Sequence, residues 1–189
     1  MKSLLSQIAA CEMCQGHLPH GPRPVVVASR NSRIIIIGQA PGLKVHATGI
    51  PWNDASGEEL RRWLQVDKDR FYDPELFALT PMGFCYPGKG KSGDLPPRPE
   101  CAPQWHAALI RKMKRVELTL LIGQYSQNYY LGERRKANLT ENVRHFREFL
   151  PAYFPLVHPS PRNRLWQKRN PWFESEVLPE LRRAVSRIL

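Results

Sequence analysis

The run Arg33-Ile-Ile-Ile-Ile-Gly38-Gln-Ala-Pro-Gly42 sets four isoleucines against a glycine-proline turn. Four β-branched residues are too few for a buried helix, and no polar residue alternates with them, so neither face is meant for water. This predicts a central strand of a parallel sheet, which is apolar on both faces because helices cover both. Two similar runs follow at Leu76-Phe-Ala-Leu-Thr80 and Leu118-Thr-Leu-Leu-Ile-Gly123. A fourth, Tyr153-Phe-Pro-Leu-Val157, contains Pro155, which cannot donate to a ladder and so marks an edge or a strand start.

Between these runs the apolar period lengthens to that of helices. Ser56 with Glu59 three residues on is a helix start, and Leu60, Trp63 and Leu64 share one face. Further helices are predicted from Pro103 to about Met113, from Gly123 to Leu131, from Leu139 to Leu150 and from Trp172 to Leu189. Strands alternating with helices give an α/β protein: three layers, α-β-α, around a mainly parallel four-stranded sheet. Ligands of such sheets bind beyond the carboxyl ends of the strands, so the loops after Ile37, Thr80, Ile122 and Val157 are expected to share one site. At 189 residues the chain reads as a single domain, 1–189, with no repeat of solenoid length.

Composition narrows the partner. The chain carries 28 Lys+Arg against 17 Asp+Glu, a net charge of +11, which favours a polyanion, nucleic acid ahead of an anionic membrane. No apolar run approaches the ~20 residues that span a bilayer, and Gln7 and two cysteines interrupt the apolar start, against a signal peptide. A cytoplasmic monomer with no membrane partner is the expectation. Cys11-Glu-Met-Cys14 is a C-x2-C pair able to place two thiolates on one metal centre. Cys85 and Cys101 bracket the one long irregular stretch, Tyr86 to Pro99, and complete a set of four; zinc or an iron-sulfur cluster both suit four thiolates, although the wide second spacing is unusual for a zinc ribbon.

The order of these features resembles the iron-sulfur uracil-DNA glycosylases. An early C-x2-C, a Gly38-Gln-Ala-Pro-Gly42 turn after the first strand, a wider cysteine pair and a late His158-Pro-Ser-Pro-Arg-Asn163 all fall in sequence. The resemblance implies a structural [4Fe-4S] cluster on Cys11, Cys14, Cys85 and Cys101. It implies DNA containing uracil or another deaminated base as the partner, with the damaged base hydrolysed from its sugar. In Gly49-Ile-Pro-Trp-Asn-Asp-Ala-Ser-Gly57, Trp52 corresponds to the ring that stacks on the extruded base and Asp54 to the catalytic carboxylate of one branch, while helix capping is the alternative for Asp54. His158 corresponds to the donor that stabilises the departing base, and Gln39 joins Asp54 and His158 as catalytic. Gly38, Ala40, Trp52 and Asn53 are the candidate base-binding residues. Ser160, Arg162, Asn163, Arg164, Leu165 and Lys168 are the candidate DNA contacts, with Arg164-Leu165-Trp166 as a wedge into the base stack.

The sequence also departs from that family. Ala40 stands where the best-known uracil enzymes carry aspartate, Gln39 where the iron-sulfur branch usually has glutamate, and Pro81 where that branch has an asparagine reading the uracil edge. These departures motivate a second expectation, an iron-sulfur nucleic-acid binding protein of the same fold without turnover. A zinc protein of unrelated function is the third.

Overall fold

The computed structural model describes residues 1–189. Its elements are α1 (Lys2–Ala9), β1 (Ile34–Ile37), α2 (Leu43–Thr48), α3 (Ala55–Leu64), α4 (Lys68–Tyr72), β2 (Phe77–Leu79), α5 (Cys101–Lys112), β3 (Leu118–Ile122), α6 (Gln124–Leu131), α7 (Leu139–Arg144), β4 (Tyr153–Leu156), α8 (Arg164–Arg169) and α9 (Leu178–Ile188). The four strands form one all-parallel sheet in the order β2-β1-β3-β4. β1 sits between β2 and β3, as an unbroken apolar run requires.

Side chains alternate across a strand, and the four isoleucines divide accordingly. Ile34 and Ile36 join a core with Leu60, Trp63 and Phe71 of α3 and α4 and Leu181 and Val185 of α9. Ile35 and Ile37 join a second core with Ile8 of α1, Leu109 of α5 and Leu131 of α6. All four are at most 1% exposed. The expected three-layer α/β sandwich is therefore the observed one. β4 pairs with β3 alone, which places Pro155 on an edge strand where its missing N–H breaks no second ladder. The opposite edge, β2, is covered by residues 25–27, through Val27 N–H to Leu79 O at 3.1 Å and Val25 N–H to Phe84 O at 2.7 Å.

Three expectations are corrected. The start of α3 is capped by Asp54, not Ser56: the Asp54 carboxylate accepts from Gly57 N–H, the third residue of the helix, and Glu59 turns outward to Arg62 and Trp63. The helix expected over Leu139 to Leu150 stops at Arg144 and continues as a 3-10 turn, Phe146–Phe149, which lets Phe146 and Phe149 face opposite cores. The last helix begins as a π turn, Phe173–Val177, before α9. Pro179 sits in the first turn of α9, where its missing N–H costs nothing.

Candidate active site

Because the strands run one way, the loops after Ile37, Leu79, Ile122 and Leu156 open on one end of the sheet. The turn Gly38–Gly42 is held there by two bonds to the loop after β2, Met82 N–H to Gly38 O at 2.9 Å and Gly83 N–H to Gln39 O at 3.0 Å. Its carbonyls are thus engaged, while the N–H groups of Gln39 and Ala40 donate to no other backbone group. A rigid turn with free donors faces a cleft of about 430 Å³. Its walls include Gly38, Gln39, Ala40, Trp52, Asp54 and His158, so residues drawn from three separate segments meet.

Trp52 is fixed by backbone geometry more than by its own contacts. Its φ is +56°, a left-handed value that costs a non-glycine residue about 1–2 kcal/mol. Two glycines make that conformation possible. A Cβ on Gly38 would stand 2.8 Å from Trp52 Cζ2, and one on Gly57 would stand 1.8 Å from the Trp52 carbonyl oxygen. The indole lies against His158, ring centres 5.7 Å apart and planes 29° apart, so the ring that the resemblance assigns to the base forms one aromatic wall with the histidine.

Asp54 lies across the same cleft. Its Oδ1 accepts from Gly57 N–H at 2.9 Å, so the cap is real, and its position on the cleft wall leaves the carboxylate charge directed at the pocket. Burial holds the His158 imidazole below the usual histidine range, with the Asp54 charge pulling the other way. A neutral ring is the form that donates one hydrogen bond without carrying a charge. Asn163 Nδ2 donates to His158 O at 2.7 Å and fixes that loop.

The other candidates separate. Asn53 is not on the cleft wall; its amide points to Thr48 Oγ1 at 3.5 Å. Ser160 and Arg164 line a neighbouring open cleft with Glu58 and Arg62. Arg162 donates to Ser92 O at 2.9 Å, bracing the 86–99 loop. Leu165 is 58% exposed and Lys168 is exposed beside it on α8. Trp166 is half-buried against the core, donating to Thr140 Oγ1 at 2.9 Å and packing edge-on against Trp172 and Phe173, so Leu165 is the freer of the two to act as a wedge.

Sequence reading missed several residues. Val25, Val45 and Pro51 join Pro41 and Pro81, already marked by the motifs, in the cleft walls, and Asp94 approaches the Gly38–Gly42 turn from the 86–99 loop. The glycine at position 57, early in a helix, was a readable signal of close approach. Nothing local marked Asp94. Behind Pro81 lies His106, 3% exposed, with Nε2 3.1 Å from Pro81 O and Nδ1 2.5 Å from Tyr130 Oη. A carbonyl only accepts, so Nε2 carries the proton and Nδ1 accepts from the tyrosine.

The four cysteines converge at a separate place. Cys11, Cys14, Cys85 and Cys101 line one cavity of about 380 Å³ with Phe84, Arg98 and Trp105. Burial raises the thiol pKa of Cys14 and Cys85 and pushes that of Cys101 up to about 12. No three of the chain's His, Cys, Asp and Glu side chains gather at a point where a single ion would be held.

A cleft at the carboxyl ends of a parallel sheet, with free amides, an aromatic wall, a carboxylate and a histidine held below its usual range, is the ligand site expected of an α/β fold. Residues 24–182 match the uracil DNA glycosylase superfamily, and the chain belongs to it. Membership brings a DNA glycosylase-type function and DNA as the molecule acted on.

Proposed function

We propose that this protein hydrolyses the N-glycosidic bond of uracil, or of a related deaminated base, in DNA, starting base excision repair as a monofunctional glycosylase. The observation that carries the reading is that Asp54 and His158 line one cleft together with Gln39 and Ala40, whose backbone amides have no backbone partner. The extruded base enters beside Trp52, and its carbonyl meets those amides. As the bond to the sugar breaks, charge separates: cationic on the sugar, anionic on the base. Asp54 faces the cation. His158 donates to the base oxygen where negative charge grows, an arrangement typically worth ~3 kcal/mol of barrier. Gln39 is held by its Nε2 donating to Leu95 O at 3.0 Å, which leaves its Oε1 free to accept from the base. The apolar wall at Pro81 reads no polar edge, which supports a lesion range wider than uracil. Arg164, Lys168 and the exposed Leu165 stand on the outer face, where the phosphates and the vacated stack would lie.

The same reading places the chain in the iron-sulfur branch, with a structural [4Fe-4S] cluster held by Cys11, Cys14, Cys85 and Cys101. The residues fit that group on three grounds. All four thiols line one cavity, four thiolates are the donor set such a cluster takes, and the buried Trp105 indole N–H on the cavity wall has no partner. Cys11 and Cys14 after α1, Cys85 before the 86–99 loop and Cys101 of α5 would hold the cluster, and these segments would thereby be tied together. Cationic iron would also offset the cost of ionising the buried thiols.

The test is incubation of the purified protein with labelled oligonucleotides carrying uracil or hypoxanthine, single-stranded and in each mispair, followed by alkali. Scission at the lesion is the expected result. The Asp54 cap and the loss of the asparagine at 81 favour one other reading, a binding protein without turnover, and tight binding with no scission of any substrate would establish it.

A further inference from the structure

The irregular stretch between Cys85 and Cys101 is pinned over the active end of the sheet, although its tip, Asp94 included, is exposed. Leu95 is held from both sides, its N–H donating to Gly88 O at 2.9 Å and its carbonyl accepting from Gln39 Nε2 at 3.0 Å. Arg162 lies against Gly93, where a Cβ would come within 2.6 Å of its Nη1, and donates to Ser92 O at 2.9 Å. Between these anchors stands Asp94. Its Oδ2 is 3.5 Å from the position a Cβ on Gly42 would take, so the carboxylate lies over the turn that carries the free amides. Asp94 lines the cleft that adjoins the base pocket and shares Gln39 and His158 with it.

We propose that Asp94 is a second catalytic carboxylate of the site, accepting the proton of the attacking water while Asp54 faces the sugar cation. The proposal rests on the glycosylase reading above. In this step the bond from the anomeric carbon to the base nitrogen breaks and its electron pair leaves with the base. A water oxygen bonds to that carbon, the water's spare proton goes to Asp94, and from there to the released base anion. Two observations assign the roles in this order. Asp54 has one oxygen committed to the Gly57 amide, whereas Asp94 is exposed over the Gly38–Gly42 turn, open to a water. The Asp94 carboxyl also holds its proton more readily than an ordinary aspartate. Partial burial raises its pKa and the charge of Asp54 raises it further, against Arg162 of the loop after β4 and Lys89 of its own loop. The other titratable groups around the carboxyl are Tyr86, whose phenol feels the Asp94 charge, and Tyr125 and His158, which line the same cleft.

The experiment compares the unmodified protein with Asp94→Asn and Asp94→Glu under single-turnover conditions on a lesion the protein cuts, from pH 4 to pH 8. A general base contributes about 10²–10⁴-fold, so Asp94→Asn is expected to slow the chemical step at least about 100-fold with no loss of DNA affinity. The rate of the unmodified protein falls as pH drops through the raised Asp94 pKa; Asp94→Asn loses that acidic limb and Asp94→Glu recovers part of both. An unchanged rate with the acidic limb intact overturns the proposal, and so does a defect confined to DNA affinity. Both results leave the glycosylase reading standing. If the unmodified protein cuts no lesion, the two fall together.

Discussion

Gly57→Ala tests how the site is built. Glycine inside a helix normally costs ~1 kcal/mol against alanine, so helix propensity by itself predicts that the substitution stabilises α3. The tertiary structure predicts the opposite sign. The new Cβ would lie 1.8 Å from the Trp52 carbonyl oxygen, 2.7 Å from its carbon and 2.9 Å from Trp52 Cβ. Ordinary contacts of this kind begin at 3.4 Å, so backbone must move by roughly 1.6 Å, and neither side of the contact is a flexible side-chain tip. Overpacking of this sort costs about 1–3 kcal/mol, or roughly 2–4 °C of melting temperature per kcal/mol in a chain of this length. The same displacement pulls the Asp54 cap away from Gly57 N–H and shifts the indole beside His158. A 1 Å misplacement at a reacting centre can cost about 100-fold in rate. Urea unfolding, tryptophan fluorescence and single-turnover cleavage of the same preparation read all three effects. A variant as stable as the parent, with its fluorescence and cleavage rate intact, would refute the account of Trp52 as a platform clamped by Gly57.

Asp54→Asn preserves the helix cap, since asparagine caps as well as aspartate, so it is expected to fold and bind DNA normally while base release falls by two or more orders of magnitude; cleavage at the parental rate would exclude the carboxylate role. Cys85→Ser is expected to lose the brown absorbance of a cluster together with thermal stability, and a stable, colourless, active variant would count against the structural cluster. Stability should also fall in acid because of His106. Burial lowers its pKa from 6.5 to about 4, so the unfolded chain takes up a proton that the folded chain refuses. The stabilisation is fully present above pH 6.5 and is lost as pH falls toward 4, by about 3 kcal/mol at full effect. Urea midpoints at pH 7 and pH 4.5 should therefore converge in His106→Gln, and an unchanged pH dependence would show that other groups carry it.

The sequence by itself determined the layers. Ile34–Ile37 announced a strand buried on both faces, Pro155 announced an edge, and the apolar period of Leu178, Leu181 and Val185 announced the closing helix, because hydrophobic spacing reports directly which faces a segment hides from water. Asp54 and His158 could be chosen as a pair from their motifs, and the fold brought them to one cleft. Other features were beyond reach of any local pattern. Asp54 displaced Ser56 as the cap because the chain enters α3 through a left-handed Trp52, a conformation paid for by glycines at 38 and 57. The break after Arg144 arose because Phe146 and Phe149 serve different cores, which a single helical face cannot do. Asp94 reaches the Gly38–Gly42 turn, and the cysteines at 11 and 14 reach those at 85 and 101, only through loops anchored by contacts between distant segments. Periodicity encodes what a residue does to its own element's face; the meeting of side chains at the ends of different strands is set by how those elements pack together, and that information resides in the tertiary structure alone.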